Sequence, residues 1–344
     1  MKKILFVGHK HDIDQKKQKG LVYRSFYEGF VKLKYMVRSV FFEDYLENEI
    51  DQVLINEVKV FKPCLVFFVY QENRIKRDTL IKIKENEKCL SVNFYGDDCW
   101  RFENFTLKTY NYFNYVISAD DLSPKKYEQN KIKNVVFSQW AALSKYKSDK
   151  LNNKNFIYDV SFIGGYNEYR SWICKELLKN NIQVKCFGKG WPNGTITYEE
   201  MKQIVSKSKI NLCLPNSISF DVRYLTSSFK GTFRVLKYFF GRNLKTYNGL
   251  KARMFEISSM GGLVLTQYIP LIERYFKIGK ELTCYSDMTT LIKQIKFILL
   301  NENFANSVRE KGWKRSLKDH SYENRIINIF KQIERLEKTR KKNI

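Results

Sequence analysis

No stretch of this chain of 344 residues approaches the roughly 20 consecutive apolar residues that a membrane-spanning helix needs. The opening MKKILFVGHKHD has too short an apolar run for a signal segment and leads into charge rather than a small-residue cleavage site. Any membrane contact is therefore expected to be peripheral. Neither GxGxxG nor GxxxxGK[ST] occurs, so a Rossmann dinucleotide enzyme and a P-loop NTP enzyme both lose their usual support. The seven cysteines, at 64, 89, 99, 174, 186, 213 and 284, stand singly, with no CxxC and no His pair beside them. Several lie inside apolar runs (KPCLVFF, VKCFG, INLCLP), where Cys behaves as a small core residue. Reduced thiols, a cytosolic compartment and no structural zinc are the expectation. Internal repeats and low-complexity segments are also missing.

Acidic residues are scarce beside basic ones: Asp+Glu number 36 against 61 Lys+Arg, a net charge of +25. Such a surplus attracts phosphorylated ligands, nucleic acid or an acidic membrane face, although lysines also simply solvate a surface. Apolar material is plentiful, at 44 % hydrophobic and 15 % aromatic, and the length exceeds that at which single cores stop growing. Two domains are predicted.

Apolar runs alternate with helical spacing along the first half. KKILFVG (2–8), SVFFE (39–43), KPCLVFFVY (62–70), SVNFYGDD (91–98), the end of YNYFNYVISAD (110–120) and NVVFSQWAA (134–142) read as strands. Residues 21–33, 47–60 and 79–87 read as helices between them. Strands that are apolar throughout and alternate with helices predict a parallel sheet covered on both faces. Residues 1–147 are therefore assigned to one doubly wound α/β domain. The polar stretch KYKSDKLNNKNFIYD (145–159) has the composition of a linker. The rhythm restarts over 155–318, with strands DVSFIGG, IQVKCFG, INLCLP, LVLTQY and ELTCYS, and helices at 168–180, 198–208, 253–260, 271–277, 288–301 and 304–315. A basic, aromatic insertion spans 216–247, and a charged helix, 319–344, closes the chain.

Ligands of parallel sheets bind at the carboxyl ends of the strands, and two tandem sheets would face a shared cleft. The loop FIGGYNEYR offers Gly164 and Gly165 for close backbone approach and Arg170 in the first turn of the next helix, or it is merely a tight turn. VKCFGKGW places Gly188, Gly190 and Trp191 at the next such loop, where Trp could flank a nucleobase or be half-buried structure. In NGLKARMFEISSMGGLVLT, Asn248 and Gly249 open a loop, Lys251 and Arg253 flank a helix N-terminus, and Gly261-Gly262 end the helix. Cations at a helix N-terminus suit a diphosphate, and Glu256 could accept hydrogen bonds from the adjacent hydroxyls of a sugar. The combination matches a nucleotide-sugar.

These residues carry a family likeness. VSFIGG…R (160–170), VKCFGKGW (184–191), the KxRxFE core of 251–256 with GGLVLT, FKIGKEL (276–282) and HSYENR (320–325) resemble the CgeB-like (spore-maturation-protein-like) glycosyltransferases. NFYGDDCW in the first half belongs to the same likeness. It implies a GT-B fold, two Rossmann-like doubly wound domains about a central cleft, with the donor nucleotide-sugar on the second and the acceptor on the first. It also implies transfer without an essential divalent metal or other cofactor. No DxD motif sits where a donor loop should be, and Lys251, Arg253 and the helix dipole can balance a leaving diphosphate. More distantly, the second half is similar to retaining GT-B enzymes with two glutamates eight positions apart. Glu256 matches the second, but the first falls on Asn248, which leaves retention or inversion open.

An inverting enzyme needs a general base in the acceptor domain. Asp97, Asp98 and His9 all follow strands there. The Asp pair is favoured by position, since like charges side by side can raise one pKa, although Asp97 or Asp98 could equally cap a helix and His9 could be packing. The leading expectation is a cytoplasmic transferase, at the inner face of the membrane, acting on a cell-envelope glycan or lipid-linked acceptor. The alternatives are a DNA-modifying glucosyltransferase, with nucleic acid as partner, and a non-catalytic GT-B-like binding protein.

Overall fold

The computed structural model describes residues 2–12, 18–151, 155–215, 222–227, 233 and 248–342. The chain divides into two compact units: residues 1–140 with 322–344, and residues 141–321. The final helix, set apart by sequence, thus belongs to the first unit.

In the first unit, strand β1 (Lys3–Gly8) is followed by a π-turn, Tyr23–Tyr27, and helix α1 (Glu28–Lys32). Then come β2 (Met36–Phe41), α2 (Ile50–Phe61), β3 (Leu65–Phe68), α3 (Arg77–Lys84) and β4 (Leu90–Tyr95). The short helices α4 (Asp98–Arg101) and α5 (Leu107–Thr109) lead to β5 (Tyr115–Ser118), α6 (Pro124–Gln129) and β6 (Val135–Phe137). The strands form one parallel sheet in the order β2-β1-β3-β4-β5-β6. Its inner strands are buried on both faces, because every position of LVFF and of ILFV is apolar. The outermost strand, β2, instead alternates Met36, Arg38 outward with Val37, Ser39 less exposed. Helix α2 buries Ile50, Leu54, Val58 and Phe61, a single stripe at helical spacing, and stops at Lys62, which takes the left-handed conformation at φ 51°.

The second unit holds β7 (Tyr158–Ile163), α7 (Glu168–Lys179), β8 (Val184–Phe187), α8 (Tyr198–Ser206), β9 (Ser208–Cys213) and α9 (Val222–Thr226). It continues through α10 (Ala252–Ser259), β10 (Val264–Gln267), β11 (Thr283–Tyr285), α11 (Met288–Leu300) and α12 (Glu302–Asp319). A last helix, α13 (Tyr322–Lys342), returns to the first unit. The second sheet is parallel in the order β11-β10-β9-β7-β8. Capping boxes start two of its helices, Thr197 with Glu200 and Asp287 with Thr290. One expected helix, 271–277, shrinks to a single 3-10 turn at Ile272–Arg274, because Pro270 and the left-handed Leu271, φ 70°, set the chain for a turn. The insertion 216–247 lies outside the described residues except for 222–227 and Phe233. Among the described residues, no helix is long and apolar enough to cross a membrane.

Candidate functional site

The carboxyl end of the first sheet carries the three base candidates, and the structure treats them differently. Asp98 is 1 % exposed. Its carboxylate accepts hydrogen bonds from Thr106 Oγ1, Ser118 Oγ and Tyr127 OH, each at 2.6 Å. Burial raises its pKa to about 6 against the opposing pull of those hydroxyls, with the Asp120 charge adding a smaller rise. The expectation that its neighbour Asp97 would supply the shift is replaced by desolvation. A carboxylate saturated by three internal donors organises the β4–β5 region and has no face for a substrate.

The Asp98 network has a pH signature. The folded state binds its proton more tightly than the unfolded chain, so stability rises as pH falls from above 6 toward 4, on the order of 2 kcal/mol. In urea titrations from pH 5 to 8, wild type should lose stability with rising pH relative to Asp98→Asn. Parallel profiles would remove the carboxylate as the cause.

Asp97 occupies the N-cap position of α4, half-buried, and its carbonyl accepts the N–H groups of Trp100 and Arg101 at 3.0 and 2.9 Å. His9, directly after β1, is held between two acidic side chains. Its Nδ1 stands 3.0 Å from Glu43 Oε1, its ring meets Phe42 edge-on at 5.0 Å, and Nε2 is 3.6 Å from Glu72. Burial pushes the Glu43 carboxyl up, yet the N–H groups of Lys10 and His11 and the His9 ring together hold it below its ordinary value. Glu43 and Glu72 thus stand one against each ring nitrogen of His9. Sequence reasoning misses Glu43 and Glu72; the acid ending SVFFE, at the carboxyl end of a strand, is the available signal. His9 and Asp98 stand on strands separated by β3, at least about 10 Å of sheet width apart.

In the second unit, the loops after β7 and β8 are clasped together. Gly188 has φ 132°, and a Cβ there would overlap the Gly164 carbonyl oxygen and stand 2.6 Å from its carbon. Gly190, φ 84°, packs on Tyr166. Trp191 donates its indole N–H to Gly164 O at 2.9 Å and meets Tyr166 edge-on at 5.1 Å, so it closes the loop pair rather than offering a face to a base. Only Gly165 of the two glycines after β7 fronts open space. Arg170 is likewise consumed by the fold. Its guanidinium donates to Gly165 O, Pro215 O and Leu214 O at 2.6, 3.1 and 3.1 Å, tying the loop after β7 to the end of β9. Burial lowers its pKa to about 10, still well above neutrality.

Residues 248–256 assemble as the sequence suggests in outline but not in detail. Lys251 is the N-cap residue of α10, whose first turn receives no side-chain cap. Arg253 pairs with Glu256 at 2.9 Å and rests on Met201 Sδ, and Glu256 is only 2 % exposed. The carboxylate expected to meet sugar hydroxyls is thus engaged by its own helix. Cations nevertheless converge here: burial pushes the Cys213 thiol up, while Arg253, Arg170 and Lys251 each oppose it. Asn248 donates from Nδ2 to Gln267 Oε1 at 3.1 Å, with Gly249 beside it in the loop. Gln267 also lines a cavity of about 430 Å³ with Tyr169, Arg223, Tyr285, Asp287 and Thr289. Behind this wall the Tyr285 hydroxyl is buried with no hydrogen-bond partner among the described residues. A polar cavity whose wall includes Gln267, itself hydrogen-bonded to the loop before α10, is suited to a polyhydroxylated ligand. No group of three or more His, Cys, Asp or Glu side chains able to hold a metal ion occurs among the described residues.

Solved structures with this topology align over nearly the entire chain. A glycosyltransferase from Rickettsia africae superposes with a TM-score of 0.62 at 9 % identity, covering 98 % of this chain and 99 % of that one. The Anabaena protein HepE, crystallised with UDP-glucose, gives 0.61 at 10 % identity, covering 98 % and 100 %. The fold is GT-B. S. aureus TarM, crystallised with UDP, gives a TM-score of 0.56 at 10 % identity over 83 % of this chain, which spans 59 % of TarM's length. Residues 170–331 match the family described as glycosyl transferase-like, a span running from α7 of the second GT-B unit into α13. No curated protein matches the sequence.

Proposed function

We propose that this GT-B protein is a metal-independent glycosyltransferase of the CgeB-like kind. It takes a hexosyl group from a nucleoside-diphosphate sugar held on the second unit and passes it to a cell-envelope or other surface-glycan acceptor. The observation that carries the reading is the hydrogen bond from Asn248, in the loop that opens the cationic start of α10, to Gln267, which lines the 430 Å³ polar cavity. The glycosyl transferase-like match over 170–331, and the UDP and UDP-glucose bound to HepE, support it. In this reading the diphosphate lies against the uncapped N–H groups of α10 and Lys251, while the sugar enters the cavity. Arg253 serves phosphate or nucleoside once Glu256 turns to a ribose hydroxyl. His9 Nε2 accepts the proton of the acceptor hydroxyl as its oxygen attacks the anomeric carbon. The bond to the diphosphate breaks, the configuration inverts, and the cations stabilise the leaving group in place of a metal.

A thermal-shift screen against UDP, GDP, CDP, dTDP and their sugars, with and without EDTA, tests the donor site. One nucleotide should raise the Tm by several degrees regardless of EDTA, and Lys251→Ala or Glu256→Ala should abolish most of the shift. A shift that needs metal would overturn the metal-independent step. No shift for any nucleotide would overturn the donor assignment.

A further inference from the structure

The edge of the first sheet opposite His9 has a character the transfer chemistry does not use. The turns into β1, β2, β3, β4 and β6 carry six exposed lysines, Lys2, Lys34, Lys62, Lys88, Lys131 and Lys133. Against them stand Glu85, Glu87 and Glu334, the last of these 3.8 Å from Lys2. Helix α13 ends at the same edge, because Glu334 reaches Lys2 and Glu337 accepts a hydrogen bond from Tyr115 OH at the start of β5. Beyond Glu337 the helix carries Lys338, Arg340, Lys341 and Lys342, all exposed, over roughly 7 Å of further rise.

Aliphatic groups are interleaved with these cations. Val31, Met36 and Val60 are 50 %, 45 % and 59 % exposed at the chain segments entering β2 and β3. At the same edge opens a mainly apolar hollow of about 230 Å³, lined by Ile4, Tyr35, Leu65, Leu90, Phe330 and Ile333, with the Lys2–Glu334 pair also in its wall. A polyanion such as nucleic acid would use the lysines but gain nothing from protruding aliphatics and an apolar hollow. A bilayer surface uses both, headgroup phosphates for the lysines and hydrocarbon for the aliphatics. We propose that the amino-terminal edge of the first sheet docks on an anionic phospholipid bilayer. This surface is independent of the donor site.

Vesicle co-sedimentation of the full chain tests it, using phosphatidylcholine vesicles with and without phosphatidylglycerol at low and high salt. Wild type should bind only the anionic vesicles and release in part at high salt. Each lysine near the surface contributes about fivefold in partitioning, so the combined Lys2→Gln, Lys34→Gln, Lys62→Gln, Lys88→Gln variant should bind at least about 100-fold more weakly. A control with the same charge change on the second unit, Lys280→Gln, Lys293→Gln, Lys296→Gln, Lys311→Gln, should lose less than about tenfold. Met36→Ser with Val60→Ser should weaken the binding that survives high salt. Equal losses in the two lysine variants would reduce the effect to net charge and overturn the proposal. Failure of wild type to bind anionic vesicles, or capture of an oligonucleotide in their place, would overturn it as well.

Discussion

Replacing His9 by Ala is expected to lower kcat by about 10²–10⁴-fold while leaving the nucleotide-induced thermal shift and the donor KM within about twofold of wild type. The split follows from where the parts lie: His9 and Glu43 belong to the first unit, whereas Lys251, Gln267 and the polar cavity belong to the second. Glu43→Gln should fall between, at about 10–100-fold, because the amide can still accept the Nδ1 proton but no longer stabilises the imidazolium. Retention of more than a third of wild-type kcat by His9→Ala would transfer the base assignment to Asp97. Asp98→Asn is the companion measurement, expected to alter stability and its pH dependence and to leave kcat within about threefold of wild type.

Gly188→Ala is expected to destabilise the second unit by about 3–5 kcal/mol and to abolish the nucleotide-induced thermal shift. Two costs combine at this position. A φ of 132° strains any L-residue, and the added Cβ meets backbone of Gly164 and Gly165, which cannot swing away as a side chain could. Moving that backbone also disturbs the carbonyls that receive Trp191 and Arg170. Gly165→Ala is the matched control, since its Cβ would face open space and stability should change by less than about 1 kcal/mol. If Gly165→Ala keeps its stability yet weakens nucleotide binding, the donor approaches the backbone there. A Gly188→Ala protein as stable as wild type would contradict the clasped-loop geometry.

Much of the architecture was legible in the order of residues. Runs such as ILFV and LVFF are apolar at every position, which suits only strands buried on both faces, and their alternation with helical stripes dictates a parallel sheet. The 251–262 stretch was readable in outline, because a cationic helix start, a short helix and paired glycines are local features. Side-chain roles were not, since a role depends on neighbours that are distant in sequence. Arg170 and Trp191 looked available to a ligand until the carbonyls of Gly164, Gly165, Leu214 and Pro215 were brought to them. Asp98 looked like a base until Ser118 and Tyr127, 20 and 29 residues away, enclosed it.

His9 changed in the opposite direction. In the sequence it is one histidine in a loop; the parallel pairing of β1 with β2 sets Gly8 against Phe41 and so delivers Glu43 to its ring. Composition alone determined that the protein is strongly basic, but a net charge of +25 has no direction. Because every turn entering a parallel strand lies at the same edge, the register of the first sheet gathers lysines scattered from residue 2 to residue 133 onto one surface. The sequence by itself determined the periodicities, and with them two parallel sheets and a cationic helix start. Only the tertiary structure decided which polar groups are consumed by the protein's own backbone and which are left for a ligand, because hydrogen-bond satisfaction depends on three-dimensional neighbours rather than on spacing along the chain.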